Sequence, residues 1–455
     1  METDLNLEKR IAEWRACLLN YKAIAAPDSA ELEDHLRNQI AILGEAGLDD
    51  EEAFIIAVRR MGEADSISRE FALEYSERLW KQFTPPVKTI ENRWGSNHEP
   101  TVVILLAILA AVAVKIPALF GMQLNGSDAE MPFWVHNFSF FTLPFLTSYF
   151  VWKRGLEIKP ILALAVTFSI AALAVNLMPF TEPHHTEGLT SIHLPLMLWF
   201  AVGFAYAGGN WKNHDRRMNY VRFTGEWFIY ISLIGSGGGV LVGAAFFIFY
   251  AIGLNAEQTV ASWVLPCGVV GAVVISAWLV EAKQSIIENM APVLARIFTP
   301  LFALLLLSFL VIMLATGRGI NVERDVLIGF DLLLVLILGL LLYSISARDN
   351  QAPANLFDWL QLVLVISALL VDILALLAIV GRISEFGFSP NKVAALGLNI
   401  ILVVNLGWSA VLLVRFLTQR STFVPLAHWQ TAYIPVYAFW TGIVALLFPA
   451  IFNYR

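Results

Sequence analysis

Two aspartates stand where a carboxylate has little to bond to. Asp372 lies mid-way along an apolar run, flanked by Leu369, Leu370, Val371, Ile373 and Leu374, and Asp331 lies about one and a half turns inside another. A charge near a bilayer centre costs a few kcal/mol on insertion scales and must face protein or water. Two chemistries fit such a residue. It is a proton or cation site of the kind a transporter uses, with the carboxyl neutral when unpaired, or it makes an interhelical hydrogen bond or ion pair that fixes helix packing. The sequence favours the second. Lys115, five residues from the end of the first apolar run and followed by Pro117, is expected to reach outward to the membrane surface, a substrate or counter-ion role being the other reading.

Further residues form explicit patterns. In the segment from Arg382 to Lys392, Gly387 suits a left-handed stop, Ser389 an N-cap and Pro390 a first helical position. Arg382 and Glu385 are three apart and can pair at the helix end. Turn chemistry accounts for the whole segment, while an anion or ligand held by Asn391, Lys392 and the following helix N-terminus is the functional alternative. Arg222 and Glu226, four apart, read as an ion pair at the entry of a long helix. The glycines 235, 237, 238, 239 and 243 in that helix lack the Lys-Ser/Thr of a phosphate loop, so close helix packing or a kink is expected. Glu182, His184, His185, Glu187 and His193 are metal-ligand types in no closed zinc pattern, and a solvated loop is expected. No G-x-S-x-G, H-E-x-x-H or Walker sequence supports an enzyme, and no metal or cofactor is expected.

These residues must be positioned by membrane helices. Of 455 residues 58% are hydrophobic and 15% charged, against roughly a quarter charged in a soluble domain. Residues 1–100 hold 12 Lys+Arg and 20 Asp+Glu, whereas residues 101–455 hold 18 and 17. The acidity therefore belongs to the N-terminal part, which disfavours a nucleic-acid partner, and the remainder is neutral enough for a lipid bilayer. Cys17 and Cys267 are too few for a disulfide framework or Cys-based zinc site. The acidic N-terminus lacks the pattern of a secretory signal, so the apolar helix starting near Thr101 is expected to act as the insertion signal.

Runs long enough to cross a ~30 Å hydrocarbon core lie at 101–121, 132–152, 160–180, 190–209, 225–253, 261–281, 296–316, 326–346, 357–380, 392–416 and 431–452, eleven in all. Lys+Arg in the first connections number 0 in 122–131, 3 in 153–159, 0 in 181–189 and 4 in 210–224. That alternation places residues 1–100 and the Lys153 and Lys212 connections in the cytoplasm, and eleven crossings would leave Arg455 outside.

Four helical patterns, 5–22, 28–45, 50–61 and 64–83, form an expected soluble bundle over residues 1–83, with Gly47 and Gly62 as stops and a linker at 84–100 leading to the membrane domain 101–455. The strings Glu31-Leu32-Glu33-Asp34-His35-Leu36-Arg37, Gly47-Leu48-Asp49-Asp50-Glu51-Glu52-Ala53-Phe54 and Ala57-Val58-Arg59-Arg60-Met61-Gly62 resemble the permease prefix, or HAAS-type, domain of bacteria. That resemblance covers residues 5–80. It implies a helical cytoplasmic module ahead of multi-pass segments, often linked to PadR-type regulators, with a signalling or assembly role. The membrane part resembles the DUF4153-type family of bacterial membrane proteins in Lys115-Ile116-Pro117, His193-Leu194-Pro195-Leu196, Arg222-Phe223-Thr224-Gly225-Glu226-Trp227 and the Arg382 to Lys392 segment, a likeness that implies architecture and no activity.

The expectation is thus an all-α, polytopic protein of the bacterial inner membrane that is not an enzyme. Its first functional reading is a signalling or regulatory protein whose prefix domain binds a cytosolic regulatory partner. The alternative is a secondary transporter or permease using Asp331 and Asp372.

Overall fold

The computed structural model describes residues 7–8, 11, 14, 26–45, 49–61, 98–122, 131–251, 259–282, 290–317 and 324–455. Among them every regular element is helical. The chain divides into two compact units, Met1–Glu91 and Asn92–Arg455.

In the first unit, helix α1 (Ala26–Glu45) and helix α2 (Asp50–Met61) correspond to the expected 28–45 and 50–61. Leu36, Ile40 and Leu43 on α1 recur at helical spacing and close over Ile11, Ala53 and Ala57. The Asp49 carboxylate accepts from the Glu52 N–H (2.8 Å), which caps α2. Arg37 spreads its fork over Glu8 (2.9 Å) and Glu33 (2.9 Å), and its hydrogen bond holds the Glu8 carboxyl below the ordinary carboxylate range. The expected helix 64–83, the stops Gly47 and Gly62, the side chain of His35 and nearly all of the linker lie outside the described residues.

The second unit begins with α3 (Glu99–Ala113), extended by a 3-10 turn (Ile116–Phe120), followed by α4 (Met131–Asn137), a 3-10 turn (Phe138–Phe141), α5 (Leu143–Arg154), α6 (Ile158–Leu177), α7 (His185–Tyr206) and α8 (His214–Ala251). A π turn (Val260–Val264) then leads into α9 (Leu265–Ala282), and α10 (Met290–Thr316), α11 (Arg324–Ser346), α12 (Leu356–Phe386), α13 (Pro390–Leu417) and α14 (Val424–Gly442) follow, with a π turn (Ile443–Leu447) before the short α15 (Phe448–Ile451). Among the described residues ten helices are long and apolar enough to cross a membrane. They correspond to ten of the eleven expected runs. The remaining one, 132–152, is broken into α4, a 3-10 turn and α5. Pro144 explains the break, because it offers no N–H to the preceding turn and its ring crowds that turn, so that α5 starts afresh with the proline in its first turn.

Among the described residues the two largest apolar clusters of this unit are built from different helices. One joins α10 to α14 through Leu306, Leu334, Val365, Leu402, Leu413 and Phe423. The other gathers Tyr149, Phe150, Leu194, Leu198, Phe223 and Val274 from α5, α7, α8 and α9. Several glycines permit close approaches, Gly203 against the Tyr220 ring among them. A Cβ at Gly225 would strike the Tyr343 ring, and one at Gly397 the Trp440 ring. The glycines from 235 to 243, expected to serve close packing or a kink, meet no neighbour within 4 Å, and α8 runs through them without interruption.

Polar contacts sort the helix ends into two groups. On one side Glu99 accepts from Lys153 (2.6 Å) and Tyr149 (2.7 Å), while Glu281 pairs with Arg154 (2.9 Å). Arg222 donates to the Ser346 carbonyl (3.1 Å), and Arg348 bonds Asp358 (2.7 Å). On the other side Lys115 donates to the Ser262 carbonyl, His136 meets Glu187 (3.0 Å), and the Thr181 N–H donates to the Tyr454 carbonyl (2.8 Å).

Candidate functional site

The most unusual chemistry of the membrane unit lies where α11, α12, α13 and α14 pack together. Each helix contributes one polar side chain to an apolar core: Asp331, Asp372, Asn399 and Tyr437. Asp372 is sixteen residues past Leu356 and fourteen before Phe386, about 24 and 21 Å from the two ends of α12. It sits on the stripe of Val365, Ala368, Val371 and Ala375 that faces the bundle and has 0% exposure.

Asp331 has a partner. Its Oδ1 accepts from Asn399 Nδ2 (2.7 Å), which also donates to the Ala395 carbonyl (2.8 Å). Asp372 has none, since both of its carboxyl oxygens are sealed and make no hydrogen bond. The interhelical hydrogen bond expected for it is not made among the described residues. Asn399 Oδ1 and the Tyr437 hydroxyl are likewise sealed and unpartnered. Asp372 lies within electrostatic reach of both Asp331 and Tyr437.

An unpartnered buried polar group costs ~1–3 kcal/mol, more when charged, and two neighbouring carboxylates cannot both carry charge in a dry core without a counter-ion. The arrangement can therefore do one kind of chemistry. It can hold a proton, or a small cation with oxygen ligands, and release it when the surroundings change. The oxygen set, two carboxylates with an amide carbonyl and a phenol, is hard and suits ions of that type.

Two other polar clusters of these helices are complete. Asn405 Nδ2 donates to Gln430 Oε1 (3.2 Å), Gln430 Nε2 to Ser409 Oγ (2.6 Å), and Trp429 Nε1 to the Asn405 carbonyl (3.3 Å). Arg348 grips Asp358 with two bonds (2.7 and 2.8 Å), and Asp358 also accepts from the Asn355 N–H (2.8 Å), closing a capping box at the start of α12.

The other sequence candidates fall elsewhere. Lys115 does not project freely: beyond its bond to Ser262 it lies over the Trp263 ring (4.3 Å), in an apolar groove of about 740 Å3. Arg222 and Glu226 line a cavity of about 220 Å3 with Arg154 and Glu281. In the turn after α12, Gly387 has φ 74, Pro390 opens α13, and Ser389 makes no side-chain capping bond. Lys392 donates to the Gly387 carbonyl (2.8 Å), satisfying the end of α12. Glu385 is exposed and Asn391 half-buried, so this turn is well explained as a helix connection. In the 182–193 segment Glu187 bridges His136 (3.0 Å) and His184 (2.5 Å), and among the described residues no group of three or more His, Cys, Asp or Glu is arranged to hold a metal. A scan of protein-family models, a search of curated proteins and a search of solved structures return no match to the chain.

Sequence reasoning found both aspartates and missed Asn399 and Tyr437. Asn399 was within reach of it, because an amide inside an apolar run has to find a partner as a carboxylate does.

Proposed function

We propose that this protein is a secondary transporter or permease whose helix bundle binds and releases a proton or small cation at Asp331 and Asp372. One observation carries the reading: Asp372 is fully buried and neither of its oxygens has a hydrogen-bond partner. A carboxyl kept only for packing would be expected to have a donor, as Asp331 and Asp358 do. The order of the two functional readings drawn from the sequence is therefore reversed, and no enzymatic role is proposed.

The topology that goes with this reading has eleven crossings in a bacterial inner membrane, with residues 131–154 forming the broken second crossing. The side holding Glu99, Lys153, Arg154 and Arg222 is cytoplasmic, in keeping with its excess of cations, and the side holding Lys115, Glu187 and Tyr454 is external. The N-terminal unit then lies in the cytoplasm. Its separate core and exposed acidic surface suit the permease-prefix resemblance and a regulatory partner docking through residues 1–83, so signalling remains the second reading, as an input to the membrane unit.

The direct test counts protons. Purified protein titrated from alkaline to acid pH should take up more protons than Asp372→Asn does under the same conditions, or should release protons when sodium is added. Identical titration curves in both experiments would defeat the proposal.

A further inference from the structure

The start of α8 is rich in cations, and the fold treats its arginines differently. Arg216 stays exposed and donates to the Ala207 carbonyl (2.7 Å), and Arg222 donates to Ser346 (3.1 Å). Arg217, in the first turn of α8, is only 7% exposed. Its Nη2 lies 3.3 Å from His214 Nδ1, and its Nε is sealed without a hydrogen bond. Among the described residues it forms no ion pair, and the carboxylate within electrostatic reach of this cluster, that of the exposed Asp215, acts on His214.

The groups around it come from two helices. The His214 ring stacks on His428 with centroids 4.6 Å apart and planes 22° from parallel, and His214 Nδ1 lies 2.7 Å from Thr431 Oγ1. A guanidinium, two imidazoles and a hydroxyl thus meet at one point of the α8–α14 junction. The guanidinium and the two imidazoles can donate hydrogen bonds to a ligand, while the Thr431 hydroxyl already donates to the Ala427 (3.2 Å) and His428 (3.0 Å) carbonyls and holds the His214 ring in place. A guanidinium does not shed its proton, so Arg217 cannot relieve its burial as a carboxyl can. Only an anion compensates it, and its planar fork matches the oxygens of a phosphate or carboxylate. Two flanking imidazoles extend the donor set beyond what a flat carboxylate can use, which favours a tetrahedral oxyanion.

We propose that Arg217, His214 and His428 bind an oxyanion of the phosphate class, carried by an anionic phospholipid headgroup or by a free phosphate compound. On the proposed topology the site opens at the cytoplasmic membrane surface. It is independent of the carboxylate pair, and a failure of either leaves the other standing.

The test uses the full chain in nanodiscs and reads its thermal unfolding. In one arm, phosphatidylcholine discs are titrated with inorganic phosphate against chloride at matched ionic strength. In the other, phosphatidylglycerol replaces part of the phosphatidylcholine in phosphate-free buffer. A rise in the melting midpoint with phosphate assigns a soluble ligand, and a rise with phosphatidylglycerol alone assigns a headgroup. The concentration giving half the shift should increase roughly tenfold or more in Arg217→Gln and less in Arg217→Lys. His428→Gln should weaken the same arm, which decides the matter if Arg217→Gln does not fold. A wild type indifferent to both arms, or an Arg217→Gln or His428→Gln protein that keeps the full shift at unchanged concentration, overturns the proposal.

Discussion

Replacing Asp372 separates a working carboxyl from a structural one. With both oxygens unpartnered at 0% exposure, the neutral carboxyl carries a penalty of ~1–3 kcal/mol. Asp372→Asn is nearly isosteric and leaves two polar atoms equally unpartnered, so its stability should match the wild type within about 1 kcal/mol. Asp372→Leu removes the penalty but adds volume to a filled core, at ~1–3 kcal/mol, and the two effects should nearly cancel. Both variants are therefore expected at normal abundance in the membrane. Both should lose the carboxyl vibration that changes between alkaline and acid pH in infrared difference spectra of the purified protein, a readout that requires no known substrate. A structural carboxyl gives the opposite pattern. Leu would strand a donor and deplete the protein, while Asn would retain the wild-type abundance and proton uptake. Observing that pattern would refute the reasoning.

Reporters fused after Glu130 or Glu187 are expected outside the cell and one fused after Arg217 inside, and a cytoplasmic signal at Glu130 would break the eleven-crossing topology. Arg348→Ala strands the fully buried Asp358 carboxylate, which it holds by bonds of 2.7 and 2.8 Å, and should cost about 3–5 kcal/mol. An unchanged melting midpoint would contradict that estimate. Residues 1–83 expressed alone should be soluble and helical with marginal stability, given the small core around Leu36 and Ala53. A disordered circular-dichroism spectrum would show that the unit does not fold on its own, and absence of any cytosolic protein in pull-downs would weaken the regulatory reading.

The membrane helices were legible because hydropathy speaks directly to burial in lipid, and the helix boundaries at Ala26–Glu45, Asp50–Met61 and Pro390–Leu417 fall within two residues of the expected ones. Long apolar runs leave few alternatives. The break at Phe138–Phe141 was less visible, because Pro144 sits in a run whose mean apolarity is undisturbed. The glycine-rich part of α8 misled for a related reason. Glycine permits a close approach without requiring one, and close approaches occur instead at Gly203, Gly225 and Gly397, whose neighbours Tyr220, Tyr343 and Trp440 come from other helices. Partners at long range are what a one-dimensional pattern lacks. Asn399 lies 68 residues from Asp331, and nothing local to either position announces the pair.

The contrast between satisfied and unsatisfied polar groups decides which buried residues matter for function. Asp358, held by Arg348, and Asn405 with Gln430 and Ser409 are as deeply buried as Asp372 and Arg217. Each of those clusters closes its own hydrogen bonds, so its burial is explained by the fold alone, and a conformational change that opened it would meet resistance. Asp372 and Arg217 differ in that no opposite charge pairs with them among the described residues. A buried carboxyl can escape the cost by taking a proton, which makes Asp372 a site for a small positive ion. A buried guanidinium cannot, which makes Arg217 a site for an anion. The same physical defect, a desolvated group without a partner, thus points to opposite ligands, because the two side chains differ in whether they can be neutralised by a proton.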